Sequence, residues 1–213
     1  MDKQHWRQNV AEAERTGRKT RPPRQTNPQP ILDAFSSLLA EKGFESISVQ
    51  DVTERAELNR ATFYAHFPDK YALLDYTITQ WFRREIEKPT LDACHYTPDN
   101  LRNLILAVCE FLSNVHSACA QPHQQFESLV EGTIKKQIFK LLTLWLKQRN
   151  MKISTEIPTT VATWAIYGLA SYYSHRTPAR AGGAREKRPT LEKFVDEALP
   201  LVAVNLEQFA QRA

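Results

Sequence analysis

The residues with the clearest chemical potential lie in one short stretch, between positions 59 and 66. Arg60 carries a guanidinium that can donate two hydrogen bonds to O6 and N7 of guanine, so it is the best candidate for reading a base. Thr62 has a hydroxyl that can contact a base edge or a phosphate. His66 is explained equally well as a DNA contact and as a packing and hydrogen-bonding residue. These residue types predict an interaction with DNA.

Two residues that can cap helices add to this set. Asn59 comes directly before Arg60, where its side chain can cap the first turn of a helix, and a contact with DNA is the alternative role. Ser48 is placed to cap an earlier helix, and its hydroxyl and the backbone N–H groups at that helix end could also bind a phosphate. Asp51 adds negative charge to the first turn, where the helix dipole favours it.

Two short helices are predicted to position these side chains. Apolar residues recur at helical spacing over Val49–Ala56, which indicates one buried helix face. Residues 57–59 are long enough only for a turn, and a second helix over Arg60–Phe67 is ended by Pro68. Two helices of this length joined by a short turn predict a helix-turn-helix, whose second helix can enter the major groove of DNA.

A characteristic set of residues runs through the segment Ile31–Leu74: Ala34, Phe35, Gly43-Phe44, Ser48-Val49, Val52, Ala56, Thr62-Phe63-Tyr64, His66-Phe67, Lys70 and Leu73-Leu74. With these residues the segment resembles the N-terminal domain of the TetR/AcrR family of transcriptional regulators. The resemblance implies that Tyr64 and Lys70 contact phosphates, and that the helix after Pro68 carries ligand-driven movement to the DNA-reading helices.

The turn of this segment departs from the family pattern. Glu57 stands where the family usually has glycine. If this position requires a positive φ, a side chain there costs about 1 kcal/mol, because Cβ then crowds the backbone. We therefore expect a variant of the usual turn.

Composition limits the function classes. The 213 residues contain 42% hydrophobic and 24% charged residues and six glycines, and strand-like alternation is rare, so an all-α fold is predicted. The net charge of +4 mildly favours an anionic partner. No apolar run reaches the ~20 residues of a membrane helix, and no signal peptide or complete disulfide set is evident, which predicts a cytoplasmic protein. No catalytic motif or cofactor-binding loop is found.

Charge and proline content divide the chain into three predicted parts. Residues 1–27 form a basic tail, which is either an arm that lies along phosphates or in a minor groove, or a solvated disordered extension. Residues 28–88 form the helix-turn-helix domain with its connecting helix. Residues 89–213 form a helical domain for effector binding and dimerisation.

Aromatic side chains are the candidates for effector binding. Any single aromatic residue in a helical domain is more often part of the core than of a pocket, but together they allow an apolar or aromatic small molecule. The candidates are Trp81, Phe111, Trp145, Trp164 and Tyr167.

The last two predicted helices, which begin at Pro158 and Leu191, are unusually apolar. Small residues such as Ala165 and Gly168 permit close approach of another helix. In the family that the chain resembles, two such helices from each subunit form an intermolecular four-helix bundle. A homodimer is therefore predicted, and an ordinary pair of core helices is the alternative.

A metal site has weaker support. His116, Cys119 and His123 recur at i, i+3 and i+7, which could bring three ligands together. Pro122 interrupts that helix and no fourth ligand is evident, so no metal site is predicted. Cys109 is expected to be a small core residue.

Together these patterns predict a homodimeric, cytoplasmic regulator that binds a palindromic double-stranded DNA operator. As in the family it resembles, we expect a repressor that a small-molecule effector releases. An activator and a metal- or thiol-responsive regulator on the same scaffold remain open. A DNA-rearranging enzyme would need a catalytic serine or acidic cluster, and residues 90–213 offer neither.

Overall fold

The computed structural model describes residues 27–86, 95–118, 124–147, 155–175 and 189–211. Every regular element in these ranges is a helix, which confirms the all-α prediction. The helices are α1 (Gln29–Lys42), α2 (Val49–Arg55), α3 (Arg60–His66), α4 (Lys70–Ile86), α5 (Pro98–Ala118), α6 (Gln124–Lys147), α7 (Glu156–His175) and α8 (Leu191–Gln211). The basic tail up to residue 26 lies outside the described residues.

Local signals set the ends of the first helices. Pro28 precedes α1, where its fixed φ suits a helix start, and Gly43 ends the helix with φ 73°. Ser48 caps α2 as predicted. Its Oγ accepts from the backbone N–H of Asp51, while Asp51 accepts from the backbone N–H of Ser48 at 2.7 Å. Lys42 lies 2.8 Å from Asp51, and with Ser48 it lowers the pKa of that carboxyl group.

At the turn between α2 and α3, Glu57 has the positive φ at which a side chain is expected to cost free energy. Glu57 has φ 54°, a left-handed conformation that residues other than glycine adopt at a cost of about 1–2 kcal/mol. Hydrogen bonds around it satisfy the end of α2: Glu57 N–H donates to the Glu54 carbonyl at 3.2 Å and Leu58 N–H to the Thr53 carbonyl at 2.9 Å.

Helix α4 joins the first three helices to the rest of the chain. Its inner face buries Leu73, Leu74, Thr77, Ile78 and Phe82, and the helix packs on both α5 and α6. Two polar contacts tie α4 to α6: Thr133 Oγ1 donates to Asp75 at 2.7 Å and Gln137 Nε2 donates to Thr79 Oγ1 at 3.4 Å.

Helices α5 to α8 pack around a core that is continuous with that of α1–α4. Helix α7 packs on α5, α6 and α8, and α8 also packs on α5. Trp145 of α6 is fully buried in this core. None of the described helices combines the length and apolarity needed to cross a bilayer.

Lys70, the first residue of α4, fastens the loop between α1 and α2. Its ammonium donates to the backbone carbonyls of Phe44, Glu45 and Ile47 at 3.3, 3.2 and 3.0 Å, and lies 4.7 Å from the centre of the Phe44 ring. An ammonium has three N–H groups, so this arrangement uses all of them.

Replacing Lys70 with methionine should lower the free energy of unfolding by about 1–3 kcal/mol, since the hydrogen bonds from a charged donor disappear and partly buried carbonyls are left without their partner. Chemical denaturation measures the decrease. Lys193→Met, on the exposed side of α8, is the control and should change stability by less than about 0.5 kcal/mol. Equal stability of the two variants would contradict a stabilising role of the Lys70 hydrogen bonds.

Candidate nucleic-acid interface

Helix α3 presents an outward face that is fixed by one buried side chain. Phe63 is fully buried and contacts Phe67, with 6.0 Å between ring centres. Arg60 is exposed, Tyr64 is 55% exposed, and Thr62 and His66 are half-buried. The structure therefore brings the predicted contacts of α3 to the outer side and flank of one helix.

The turn before α3 ends in Asn59, which caps the helix. Asn59 Oδ1 accepts from the backbone N–H of Thr62 at 2.8 Å and from its hydroxyl at 3.1 Å. The capping role predicted for Asn59 is confirmed. Because the Thr62 hydroxyl donates to Asn59, its oxygen remains an acceptor toward solvent or a ligand.

Arg60 is linked to α2 through a side chain that sequence reasoning missed. Its Nη2 atom donates to Gln50 Oε1 at 2.6 Å, and Gln50 Nε2 donates in turn to Glu54 at 2.7 Å. Gln50 thus orients the guanidinium across the two helices. Its only signal in the sequence is an exposed polar position near the start of α2, since the crossing of α2 and α3 is a tertiary feature.

The aromatic residues of α3 differ in their surroundings. The Tyr64 ring meets Phe63 edge-on at 5.4 Å between centres, and more than half of its side chain faces solvent. His66 lies beside Phe67, with 6.2 Å between ring centres. Tyr64 can therefore approach a surface laid on α3, whereas His66 is partly held within the protein.

Lys70 is less free than a phosphate contact requires. Its ammonium already donates to the backbone carbonyls of residues 44, 45 and 47. A contact with a phosphate would have to replace one of these hydrogen bonds. Its role toward DNA stays a prediction, and its observed role is to fasten the loop that leads into α2.

Charge is unevenly distributed around this interface. Residues 27–70 contain four Lys/Arg and seven Asp/Glu. Arg55 is paired with Glu41 at 2.7 Å, and this pairing, with a hydrogen bond from Ser37, lowers the pKa of Glu41 to about 2. Positive charge available for phosphates is therefore scarce in this part of the chain.

The predicted effector-binding aromatics occupy different environments. Trp145 is fully buried, and Phe111 is buried against Phe82 at 5.4 Å between ring centres. Trp81 is half-buried. Trp164 is 59% exposed, with Lys135 Nζ 3.2 Å from its ring centre. Their role in ligand binding stays a prediction.

Tyr167, the fifth predicted aromatic, is half-buried near Lys135, whose Nζ lies 5.4 Å from the centre of its ring. Burial, with smaller contributions from Glu131 and Glu127, raises the pKa of Tyr167 to about 12. The phenol therefore stays protonated at neutral pH and can donate a hydrogen bond.

A cleft of about 570 Å³ lies between α4 and α6, and none of the five predicted aromatics lines it. Its walls combine apolar and cationic side chains, and the Thr143 hydroxyl beside it is buried without a hydrogen-bond partner in the described part of the chain. The sequence signal is a mixed stripe on α6 at residues 136, 140, 143, 144 and 147, which share one helix face. The lining comprises Phe82, Arg83, Ile86, Lys136, Gln137, Phe139, Lys140, Leu141, Thr143, Leu144 and Lys147.

The structure describes only one member of the set His116, Cys119 and His123 considered from the sequence. His116 lies in α5, whereas Cys119 and His123 fall outside the described residues. His116 instead meets Glu127 and His175, with potential ligand atoms within 4.8 Å of one another. Cys109 is a core residue as predicted, and burial raises the pKa of its thiol to about 12, which keeps it protonated at neutral pH.

Comparisons with known proteins agree with this arrangement. Residues 31–77 match the family described as bacterial regulatory proteins, tetR family. The HTH-type transcriptional repressor DhaR of Mycobacterium sp. (strain GP1) is 24% identical over 123 residues, which are 56% of this chain and 61% of that protein. The chain thus spans less than two thirds of this curated relative.

Solved structures share the fold. A TetR-family regulator from Streptomyces coelicolor A3 superposes with a TM-score of 0.53 at 18% identity, over 86% of this chain and 98% of that one. The regulator FadR of Bacillus subtilis, solved in complex with stearoyl-CoA, gives 0.50 at 14% identity, over 84% and 99%.

The family match falls on the helices that carry Arg60 and Tyr64, and the fold similarity extends over the helices that follow. The match therefore identifies residues 31–77 as a domain of the tetR family of bacterial regulatory proteins, and the solved structures show that the helices that follow share the fold of such regulators.

Proposed function

We propose that this chain is a cytoplasmic, homodimeric repressor that binds a palindromic operator and is released by a small-molecule effector. Residues 28–88 act as the DNA-binding domain, and residues 89–213 bind the effector and form the dimer. The observation that carries the proposal is the outer face of α3, where Phe63 is buried and Arg60 and Tyr64 are exposed. A helix with one anchored face and one polar face suits the major groove.

Base reading depends on Arg60. In the free protein its guanidinium bonds to Gln50 at 2.6 Å. On DNA this hydrogen bond is exchanged for two bonds to a guanine, while Tyr64, Thr62 and the N-terminus of α2 at Ser48 position the helix on phosphates. The partner of Arg60 is a neutral amide, so the exchange costs less than breaking an ion pair would.

Arg60→Ala should weaken operator binding by about 1–3 kcal/mol and relax preference at one base pair in each half-site. The operator is first obtained by selecting bound fragments from random DNA, and fluorescence anisotropy at fixed salt then gives the affinity. Arg102→Ala removes the same charge from α5 and is the control. Unchanged affinity in Arg60→Ala would exclude this residue as a base reader.

The basic tail supplies the positive charge for phosphate neutralisation that is scarce in the helix-turn-helix. Acidic residues outnumber basic ones over residues 27–70, whereas residues 1–26 contain seven Lys/Arg and three Asp/Glu. Phosphate neutralisation provides much of the free energy of DNA binding. The basic tail would therefore neutralise phosphates that the acidic DNA-binding domain does not.

Deleting residues 1–24 should weaken binding to the operator and to unrelated DNA alike. The slope of log K against log salt should become shallower by about 0.9 for each phosphate that the tail no longer neutralises. Anisotropy titrations over a range of salt concentrations measure the slope. A full-length variant with Arg15, Arg18, Lys19, Arg21 and Arg24 replaced by glutamine should behave the same way. An unchanged slope in both would leave the tail without a DNA role.

An exposed apolar stripe on α7 supports the dimer. Its members recur at i, i+4, i+7, i+11 and i+15, which places them on one side of the helix. Two exposed apolar residues of α8, at positions 201 and 204, add to the apolar surface of the last two helices. Such a surface marks an association site. The stripe consists of Ile157, Val161, Trp164, Gly168 and Tyr172.

Gly168→Glu should weaken the dimer at least tenfold, equivalent to about 1.4 kcal/mol, because a charge would enter an apolar helix contact. A Cβ at Gly168 meets nothing within 4 Å in the protomer, so the fold itself has room. Gly132→Glu on α6 has equally open surroundings and is the matched control. Sedimentation velocity over a dilution series measures the effect, and identical dimer stability in both variants would place the interface elsewhere.

The effector proposal rests on the cleft between α4 and α6. Its cationic side chains at Arg83, Lys136, Lys140 and Lys147 lie around apolar ones such as Leu144. This combination suits an amphipathic organic anion, the chemical class to which stearoyl-CoA, bound by the B. subtilis FadR, also belongs. A ligand there would shift α4, and thereby the reading helices, only if it binds the two states of the dimer with different affinity.

The probe for the cleft is 8-anilinonaphthalene-1-sulfonate, an apolar aromatic anion whose fluorescence rises on binding. Lys136→Glu/Lys140→Glu should weaken its binding by at least about threefold, since each exposed charge pair contributes up to ~1 kcal/mol, and added salt should reduce the difference. The control is Lys193→Glu/Lys19→Glu, which changes the net charge by the same amount and keeps every residue that lines the cleft. Equal affinity in the two variants would contradict an anion site at those lysines.

A further inference from the structure

Three helices meet at a cluster of metal-binding side chains outside the DNA interface and the cleft. His116 comes near the end of α5, Glu127 lies in the first turn of α6, and His175 is the last residue of α7. One potential ligand atom from each lies within 4.8 Å of those of the other two. The two imidazole rings are 4.7 Å apart between centres at an interplanar angle of 57°.

The hydrogen bonding of His175 leaves one ring nitrogen available to a metal. Its Nδ1 lies 2.8 Å from the backbone carbonyl of Ser171. A carbonyl only accepts hydrogen bonds, so Nδ1 carries the proton and the lone pair of the neutral ring is on Nε2. A backbone carbonyl bonded to the second nitrogen is the usual outer partner of a metal-bound histidine, because it fixes both tautomer and ring orientation.

In His116, by contrast, the Nδ1 atom is buried without a hydrogen-bond partner of good geometry among the described residues. A buried polar atom left unpaired costs about 1–3 kcal/mol, so such atoms usually have a function or an additional partner.

We propose that His116, Glu127 and His175 bind a divalent transition-metal ion of the zinc class. Two imidazoles and one carboxylate are a recurrent zinc ligand set that leaves one coordination position for water. Ligands at about 2.0–2.1 Å from one tetrahedral ion lie about 3.4 Å apart, so ligand atoms within 4.8 Å of one another must approach by up to about 1.4 Å. Rotation of the half-buried Glu127 side chain can supply it while His175 keeps its hydrogen bond to Ser171.

A metal ion at this site would join the end of α7 to the start of α6. His175 ends α7, which carries the apolar stripe. Glu127 follows Phe126, whose ring lies 6.1 Å from the ring of Phe44, and the Lys70 ammonium lies over that Phe44 ring. Bound metal would therefore restrain α7 against α6 near the loop that leads into α2. Metal binding itself is independent of the proposed repressor function and is measured without DNA.

The test uses the full-length protein after removal of metals by a chelator. Calorimetric titration with ZnCl₂ should give one ion per chain, and Co²⁺ should give the visible absorption bands of a four- or five-coordinate site without a thiolate charge-transfer band. His175→Ala and Glu127→Gln should each weaken Zn²⁺ binding at least about tenfold, since changes even to outer partners typically cost 10–100-fold. His95→Ala, an exposed histidine outside the cluster, should bind like the unchanged protein.

The two variants alter half-buried or exposed side chains, so both should fold, and circular dichroism checks this. The melting temperature of the unchanged protein should rise with Zn²⁺ and should rise less in both variants. Absence of binding in the unchanged protein would overturn the proposal. So would equal affinity in His175→Ala, Glu127→Gln and the unchanged protein, or a thiolate band with Co²⁺. Failure of the chain to bind DNA would leave these results unaffected.

Discussion

The complete burial of Phe63 is the constraint on which the DNA interface depends. Burying a phenylalanine side chain contributes about 1.5–3 kcal/mol, and truncating one to alanine costs about 3–5 kcal/mol. Because α3 has only seven residues, this contact decides which side of the helix turns outward. Arg60 and Tyr64 face solvent as a consequence, and the Asn59 cap together with the left-handed Glu57 sets the start of the helix.

The same packing links the reading helices to the rest of the chain. Lys70 fastens the loop before α2, and the Phe44 ring in that loop lies 6.1 Å from the ring of Phe126 in α6. Farther along α4, Asp75 and Thr79 bond to α6. The cleft between α4 and α6 is therefore bounded by elements that contact the DNA-binding region directly. A shift of α4 against α6 would therefore change the position of α2 through this set of contacts.

The cationic side chains of the helix-turn-helix differ in how their charge is paired. The helix-turn-helix pairs its cations internally, as in Arg55 with Glu41 and Lys42 with Asp51. These pairs are exposed and contribute little to stability, but they withdraw positive charge from phosphates. Arg60 bonds to a neutral glutamine instead and keeps its charge available. In the proposed function, specific contacts and phosphate neutralisation therefore belong to different parts of the chain.

Some features of this protein could be predicted from the sequence alone: the all-α class, the bounds of α2 and α3 to within one residue, and the caps at Ser48 and Asn59. These features depend on interactions between residues a few positions apart, which leave a readable pattern of spacing and residue type. Which side chains meet across helices could not be predicted in this way. The Arg60–Gln50 bond, the cleft between α4 and α6 and the approach of His116 to Glu127 and His175 join residues of different helices. No spacing rule encodes such contacts, because the packing of the whole core sets the distances between helices.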